Sequence, residues 1–247
     1  NDELGTELLP RLAARRRLME TLDTGHPTWV VLYQVDLIDQ YIDTFDVIGT
    51  DPYPIPERPA ALAGDWTRKT VEGVQGARPV WQVPQVFNWA CYKTAEDDKA
   101  KSRTPTFDEM RSMTWQCIAG GARGIVFYSW FDLHRDPATP FDVQWPLVKQ
   151  TAQEVTDYIP ALLSVEKTPA IASVEAAVVM WTTRQLAGKT FLIVVNPDSM
   201  PHSQVFRLPR MPKTVFIKGT PLAPKGRTLC VALKPLEVRI IEMTGLI

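Results

Sequence analysis

Four short apolar runs, spaced by stretches long enough for a helix, constrain what this chain can fold into. Thr28–Tyr33, Asp46–Thr50, Pro79–Phe87 and Gly124–Ser129 show no sustained polar alternation. A strand with one wet face alternates; a strand covered on both faces does not, and such strands belong to parallel sheets. The stretches between them read as helices. Leu8, Leu9, Leu12, Met19 and Leu22 give a helical period over Thr6–Leu22, with Arg15, Arg16 and Arg17 on its wet side. A short helix is expected over Asp36–Ile42 and a longer one over about Ala60–Val74. Pro84 removes a ladder donor, so the third strand should end near Val83. Thr106-Phe107-Asp108-Glu109 has the form of a capping box, a hydroxyl cap with Glu three residues on. The helix behind it carries Met110, Met113 and Cys117 inward and ends at Gly120-Gly121. A last helix is expected from about Pro146, in its first turn, to Leu163.

Beyond residue 165 the texture changes. Ala176–Thr182, Thr190–Asn196, Ser203–Leu208, Thr214–Lys218, Thr228–Leu233 and Glu237–Met243 read as strands separated by turn residues, with no helical pattern between them. Short strands at this spacing predict an antiparallel β-sandwich. The expected organisation is therefore α/β over residues 1–164 and all-β over 165–247.

Composition narrows the function. The net charge is −1, with 27 Lys and Arg against 28 Asp and Glu, which gives no footprint for nucleic acid or an anionic membrane. No apolar run approaches the ~18 residues that span a bilayer. The 3 cysteines are widely spaced, and the histidines form no ligand pair at helical spacing, so neither a disulfide framework nor a metal site is expected. Cys117, Trp115 and Trp181 read as packing residues. A nucleotide site would need a glycine-rich turn between a strand and a helix, and no such motif is present. The segments after the strands carry aromatic, acidic and amide chemistry instead, which suits a carbohydrate.

These pieces in this order resemble the (β/α)8-barrel glycoside hydrolases. The resemblance rests on Asp51-Pro52-Tyr53-Pro54 after the second run, on Val80 to Phe87, on the capped helix Thr106–Gly120, and on Gly121 to Trp130. It implies the C-terminal half of a TIM-type barrel, strands five to eight, with a trailing β-sandwich. A full barrel takes about 200–250 residues, so the resemblance implies a fragment or one polypeptide of a split protein. A missing N-terminal half-barrel, or self-association through the open sheet edges, would complete it.

By the same resemblance Asn1-Asp2-Glu3 sits at the end of strand four, where Glu3 becomes the candidate acid/base. The family's strand-seven glutamate has no counterpart, since Gln82 and Gln85 stand there. Asp51 and Asp132, after strands six and eight, are the remaining candidate catalytic acids. Tyr53, Trp89, Tyr128 and Trp130 are expected to stack on sugar faces, with Tyr128 and Trp130 on one side of the strand. Gln85 and Asn88 are expected to hydrogen-bond sugar hydroxyls. The expected partner is a poly- or oligosaccharide, with no cofactor and, from the family, an extracellular or periplasmic location. The alternative is a non-catalytic carbohydrate-binding or scaffold protein that has lost the strand-seven nucleophile.

Overall fold

The computed structural model describes residues 5–176, 178–224 and 226–247. They form two compact units. One holds the chain up to Pro105 together with Gly120–Phe141; the other holds Thr106–Ala119 and Asp142–Ile247.

In the first unit, helix α1 (Leu9–Leu22) leads to strand β1 (Trp29–Leu32), a 3-10 segment (Val35–Tyr41) and strand β2 (Val47–Thr50). Helix α2 (Leu62–Gly73) and strand β3 (Trp81–Gln82) come next, then the short helix α3 (Glu96–Lys101). After helix α4 (Phe107–Gly120), which falls almost wholly in the second unit, come strand β4 (Gly124–Ile125) and the short helix α5 (Trp130–Arg135). β1 pairs parallel with β2, and β3 pairs parallel with β4. A parallel bridge between Ile48 and Val80 joins the two pairs, and a second bridge, Gln85 to Tyr128, extends the last one. All four expected strands are present, in sequence order and parallel. Regular pairing in the third stops before Pro84, which has no N–H to give the ladder.

Alternation sorts the two faces of these strands. Val30, Leu32, Ile48 and Val80 share one core with Leu12, Ile38, Tyr41, Phe45 and Val74, so this face takes the helices. Gln82 lies on the same side and is wholly buried. Its Oε1 accepts from the Thr50 amide at 2.7 Å, and its Nε2 donates to Thr50 Oγ1 and Thr67 Oγ1, each at 2.9 Å. One amide thereby ties β3 to the end of β2 and to α2. On the opposite face Trp29 and Trp81 meet with ring centroids 6.0 Å apart. Gly124 lies beneath the Trp81 ring, where a Cβ would come within 2.6 Å of it.

Three local expectations fail here. Leu22 is 72% exposed and Met19 is exposed, while Leu12 is the one buried residue of α1. The helix docks by one turn, so its period overstates its burial. Arg16 is not on a wet face: its guanidinium reaches Asp46 at 3.0 Å and Glu20 at 2.9 Å, tying α1 to the start of β2. No helix is expected between Trp130 and Pro146, yet α5 lies there, because Ser129 caps it, its Oγ accepting from the Asp132 amide at 3.2 Å.

Among the described residues the second unit contains α4, helix α6 (Phe141–Leu162) and eight strands: β5 (Ala172–Ser173), β6 (Met180–Leu186), β7 (Lys189–Val195), β8 (His202–Arg207), β9 (Thr214–Ile217), β10 (Thr220–Pro221), β11 (Thr228–Leu233) and β12 (Val238–Thr244). They make two antiparallel sheets, in the orders β10-β9-β12-β7-β6 and β11-β8-β5. Leu192, Val194, Ile241 and Met243 of one sheet and Phe206, Leu229, Val231 and Leu233 of the other form a single core. The six strands read from the sequence are all present; β6 starts four residues later than expected. α6 starts five residues before Pro146, which lies inside the helix.

The capping box of α4 forms. The Thr106 amide donates to Glu109 Oε2 at 2.8 Å, and the Glu109 amide donates to Thr106 Oγ1 at 3.2 Å. Cys117 and Trp115 are buried as expected, and Trp181 packs edge-on against Phe206. Arg111 is the polar centre of this unit. It holds Glu154 of α6 through two bonds, Nε to Oε2 at 2.6 Å and Nη2 to Oε1 at 2.7 Å, and donates to the Val238 carbonyl at 3.2 Å. Trp115 Nε1 donates to the same carboxylate at 3.0 Å.

Burial pushes the Glu154 carboxyl up, but the bonds and charge of Arg111 and the Trp115 N–H outweigh it, leaving the group below its ordinary 4.5. A depressed folded-state value contributes stability above the unfolded value, and that contribution is lost as pH falls through the folded one. Glu154→Gln is therefore expected to lower stability in urea by about 2 kcal/mol at neutral pH, since it leaves a largely buried guanidinium without its charge partner. The difference from the parent chain should shrink below about pH 4, as both come to lack the carboxylate. A difference that persists unchanged at low pH would place the effect in packing.

Candidate functional site

Asp51 comes directly after β2, and the Gln82 side chain and the Val83 amide fix the residue before it: Val83 N donates to the Thr50 carbonyl at 3.0 Å. Asp51 is only 7% exposed and lines a cleft of about 360 Å³ in the first unit. That volume lies in the range of small-molecule sites. Tyr33, Tyr53, Trp66 and Trp89 supply its aromatic wall, and Glu57, Arg58 and Lys93 its charged rim. Lys93 sits 5.7 Å from the Trp89 ring centre and 3.7 Å from the Glu57 carboxylate. The rim thus carries both signs of charge. Among the described residues, two carboxyls line this cleft: Asp51 at its buried wall and Glu57 at its exposed lip.

Behind Tyr53 the aromatics form one cluster. Tyr53 stacks on Tyr128, with centroids 5.6 Å apart and planes 24° apart. Phe87 meets Tyr53, Trp89, Tyr92 and Tyr128 edge-on at 5.1 to 5.7 Å. Trp89 Nε1 donates to the Tyr53 carbonyl at 3.2 Å, which locks the indole to the loop after β2. Edge-to-face packing of this kind favours a fixed arrangement of rings over a sliding one.

A hydrogen-bond network borders the cluster. Tyr92 Oη donates to Asp132 Oδ2 at 2.7 Å and lies 3.0 Å from Tyr128 Oη. Asp132 also accepts from Ser129 Oγ, and from Arg135 Nη1 at 3.3 Å. Burial first, and with it the bond and charge of the Asp132 carboxylate, push the Tyr92 phenol well above its ordinary 10.0. The neighbouring Cys91 thiol is pushed up to about 11, by burial and then by the Asp132 and Asp136 charges, which disfavours its thiolate at neutral pH.

The structure brings together Asp51, Tyr53, Trp89 and Tyr128 from the residues expected on sequence grounds. It corrects four others. Gln85 is wholly buried; its Oε1 accepts from the Ile55 amide at 2.8 Å, and its Nε2 donates to the Ile55 and Phe87 carbonyls, each at 2.9 Å. It braces the loop after β2 and has no donor left for a ligand. Asn88 is equally buried, capping the turn at Trp89–Cys91 with Oδ1 and donating to Asp136 with Nδ2. Asp132 has no exposure and both of its oxygens engaged, which is a supporting role rather than that of an acid in a cleft. Trp130, 57% exposed, does not continue the alternation from Tyr128. It opens α5 and packs with His134 and Phe141. Glu3 lies outside the described residues.

Phe87, Tyr92 and Trp66 are the residues that sequence reasoning missed. For Tyr92 a signal existed: it stands three residues after Trp89, the spacing that places two rings on one face of a 3-10 turn. It falls in a stretch where no helix or strand is expected, which hid that.

No family model matches the sequence, and no curated protein matches it. Solved structures do. A β-L-arabinopyranosidase from Geobacillus stearothermophilus aligns over 96% of this chain and 54% of its own, at 16% identity and a TM-score of 0.58. The chain shares the fold of (β/α)8-barrel glycoside hydrolases. An α-amylase from H. orenii covers 97% of this chain and 57% of its own, at 11% identity and a TM-score of 0.56. For a maltogenic α-amylase from Thermotoga neapolitana the values are 99%, 60%, 10% and 0.56. The chain thus spans between half and three-fifths of the length of these proteins.

The position of Tyr92 gives a direct test. Its phenol should hold its proton through the range in which exposed tyrosines ionise. Tyr92→Phe is therefore expected to leave the tyrosinate absorbance developed up to about pH 11 unchanged. Loss of one tyrosine's amplitude would mean that the Asp132 bond does not hold in solution.

Proposed function

We propose that residues 1–164 are the second half of a glycoside-hydrolase barrel, that residues 165–247 form a β-sandwich attached to it, and that the whole acts on glycosidic bonds of a poly- or oligosaccharide. The observation that carries this reading is the convergence of Asp51, Tyr53, Trp89 and Tyr128 just beyond the carboxyl ends of parallel strands, where barrels build their sites. Aromatic faces stack on sugar C–H faces, and a nearly buried carboxylate beside them is the group that a glycosidase needs.

Asp51 is assigned one of the two catalytic carboxyls. The second is assigned to Glu3, which the resemblance puts at the end of strand four. Asp51 would then act as nucleophile or as general base toward water, and Glu3 would protonate the leaving oxygen. The other half of the barrel, from an adjoining segment or a separate chain, would close the pocket. No described helix is long and apolar enough to cross a membrane.

A second reading has its own support. Gln82 and Gln85 occupy the region where the resemblance implies a strand-seven glutamate, and both amides are consumed in holding the fold. A protein that binds carbohydrate without cleaving it fits that substitution.

The two readings diverge in a simple assay. The 247-residue chain alone is expected to bind maltohexaose or cellohexaose with a change in tryptophan fluorescence, and Trp89→Ala should weaken that binding about tenfold by removing a stacking face. The chain alone should not turn over aryl glycosides. The protein with its barrel completed should, and Asp51→Asn should lower kcat by at least about a hundredfold. Sugar binding without turnover by the completed protein would favour the non-catalytic reading; no sugar binding by either form would sink both.

A further inference from the structure

The bond between Tyr92 and Tyr128 has a sense that the surrounding chemistry fixes. A phenol carries one proton and can donate only once. Tyr92 gives its proton to Asp132 Oδ2 at 2.7 Å. Asp132 cannot return one, because it is fully buried among donors: the Ser129 hydroxyl, the Arg135 guanidinium and Tyr92 itself. A carboxylate so engaged acts as an acceptor only. With its proton committed, Tyr92 can meet Tyr128 only as an acceptor. The 3.0 Å contact between the two hydroxyls is therefore donated by Tyr128. Tyr128 in turn has no proton left, and its remaining lone pair points away from the pair.

Tyr92 is held in place for this. The Arg135 guanidinium lies 5.6 Å from its ring centre while donating to the Cys91 carbonyl at 2.8 Å. Its raised phenol value agrees with a proton held by the Asp132 carboxylate. Tyr128 is 40% exposed, and its ring stacks on Tyr53, which lines the cleft.

We propose that Asp132, acting through Tyr92, makes Tyr128 an acceptor-only contact at the edge of the cleft, so that the site selects a ligand group that donates there, such as a sugar hydroxyl, over one that only accepts. Tyr128 is the ligand contact; Asp132 and Tyr92 are positioning residues. The identity of the ligand rests on the carbohydrate reading of the cleft; the direction of the bonds does not.

Neutron diffraction from crystals of the chain in deuterated solvent reads the direction itself. The Tyr92 deuteron should lie toward Asp132 and the Tyr128 deuteron toward Tyr92. A Tyr128 deuteron facing solvent, or a Tyr92 deuteron facing Tyr128, overturns the proposal. In Tyr92→Phe the Tyr128 deuteron should swing away, a change that a merely structural tyrosine would not produce. Calorimetric titration with maltohexaose and cellohexaose reads the consequence: Tyr128→Phe should weaken whichever sugar binds by about threefold to tenfold. Unchanged binding would remove Tyr128 from the site even if the deuterons lie as drawn. If neither sugar binds the parent chain, the carbohydrate reading fails and takes the ligand assignment with it, while the deuteron positions still decide the polarity.

Discussion

The first unit depends on one buried amide. Gln82 has no exposure, and its three partners belong to β2 and α2. A buried amide without partners costs several kcal/mol, so this residue either satisfies those groups or destabilises the strand. Because it satisfies them, the end of β2 has a defined register, and the next residue is presented from a rigid base. This bond fixes the residue that Asp51 follows. Gln85 repeats the device further along the chain, gripping both backbone groups of Ile55 and so fixing the path that carries Tyr53.

The same bonds account for amides at positions where the sequence resemblance leads one to expect an acid. Gln82 faces the helix layer, where a carboxylate would lack the two donors that its Nε2 supplies to Thr50 and Thr67. The chemistry at that position answers to folding first. The candidate acid, Asp51, comes instead just after the neighbouring strand β2 and lines the cleft.

Much of the architecture was legible in the sequence, because it rests on local signals. The unalternating runs located four parallel strands, Pro84 marked where the third stops, and Thr106 with Glu109 announced a helix start that forms as written. The site was legible in part. Asp51, Tyr53, Trp89 and Tyr128 were reached by asking which residues lie at the end of each strand, and that question is blind to where side-chain bonds go. Gln85, Asn88 and Asp132 are polar residues in the right place whose hydrogen-bonding capacity is already used by the fold, which spacing does not reveal. Trp130 was misjudged because alternation was extended one residue past the Ser129 cap. In α1 the helical period was real, but burial depends on what lies opposite: Leu12 is buried in the core and Leu9 packs against it, while Met19 and Leu22 are exposed.

The absent side chain at Gly124 has a consequence for how this protein can change. The Trp81 indole occupies the volume where a Cβ at 124 would stand, 2.6 Å from the ring. The two residues are partners in register across β3 and β4, so neither strand can slide to relieve the overlap without breaking its pairing. A methyl group at 124 therefore calls for a smaller residue at 81, and a smaller residue at 81 opens a void that invites a larger one at 124. Through Trp29, which packs on the same indole, that exchange would be felt two strands away. Positions 81 and 124 should drift through evolution as a single locus, with tryptophan–glycine at one extreme and two mid-sized apolar residues at the other.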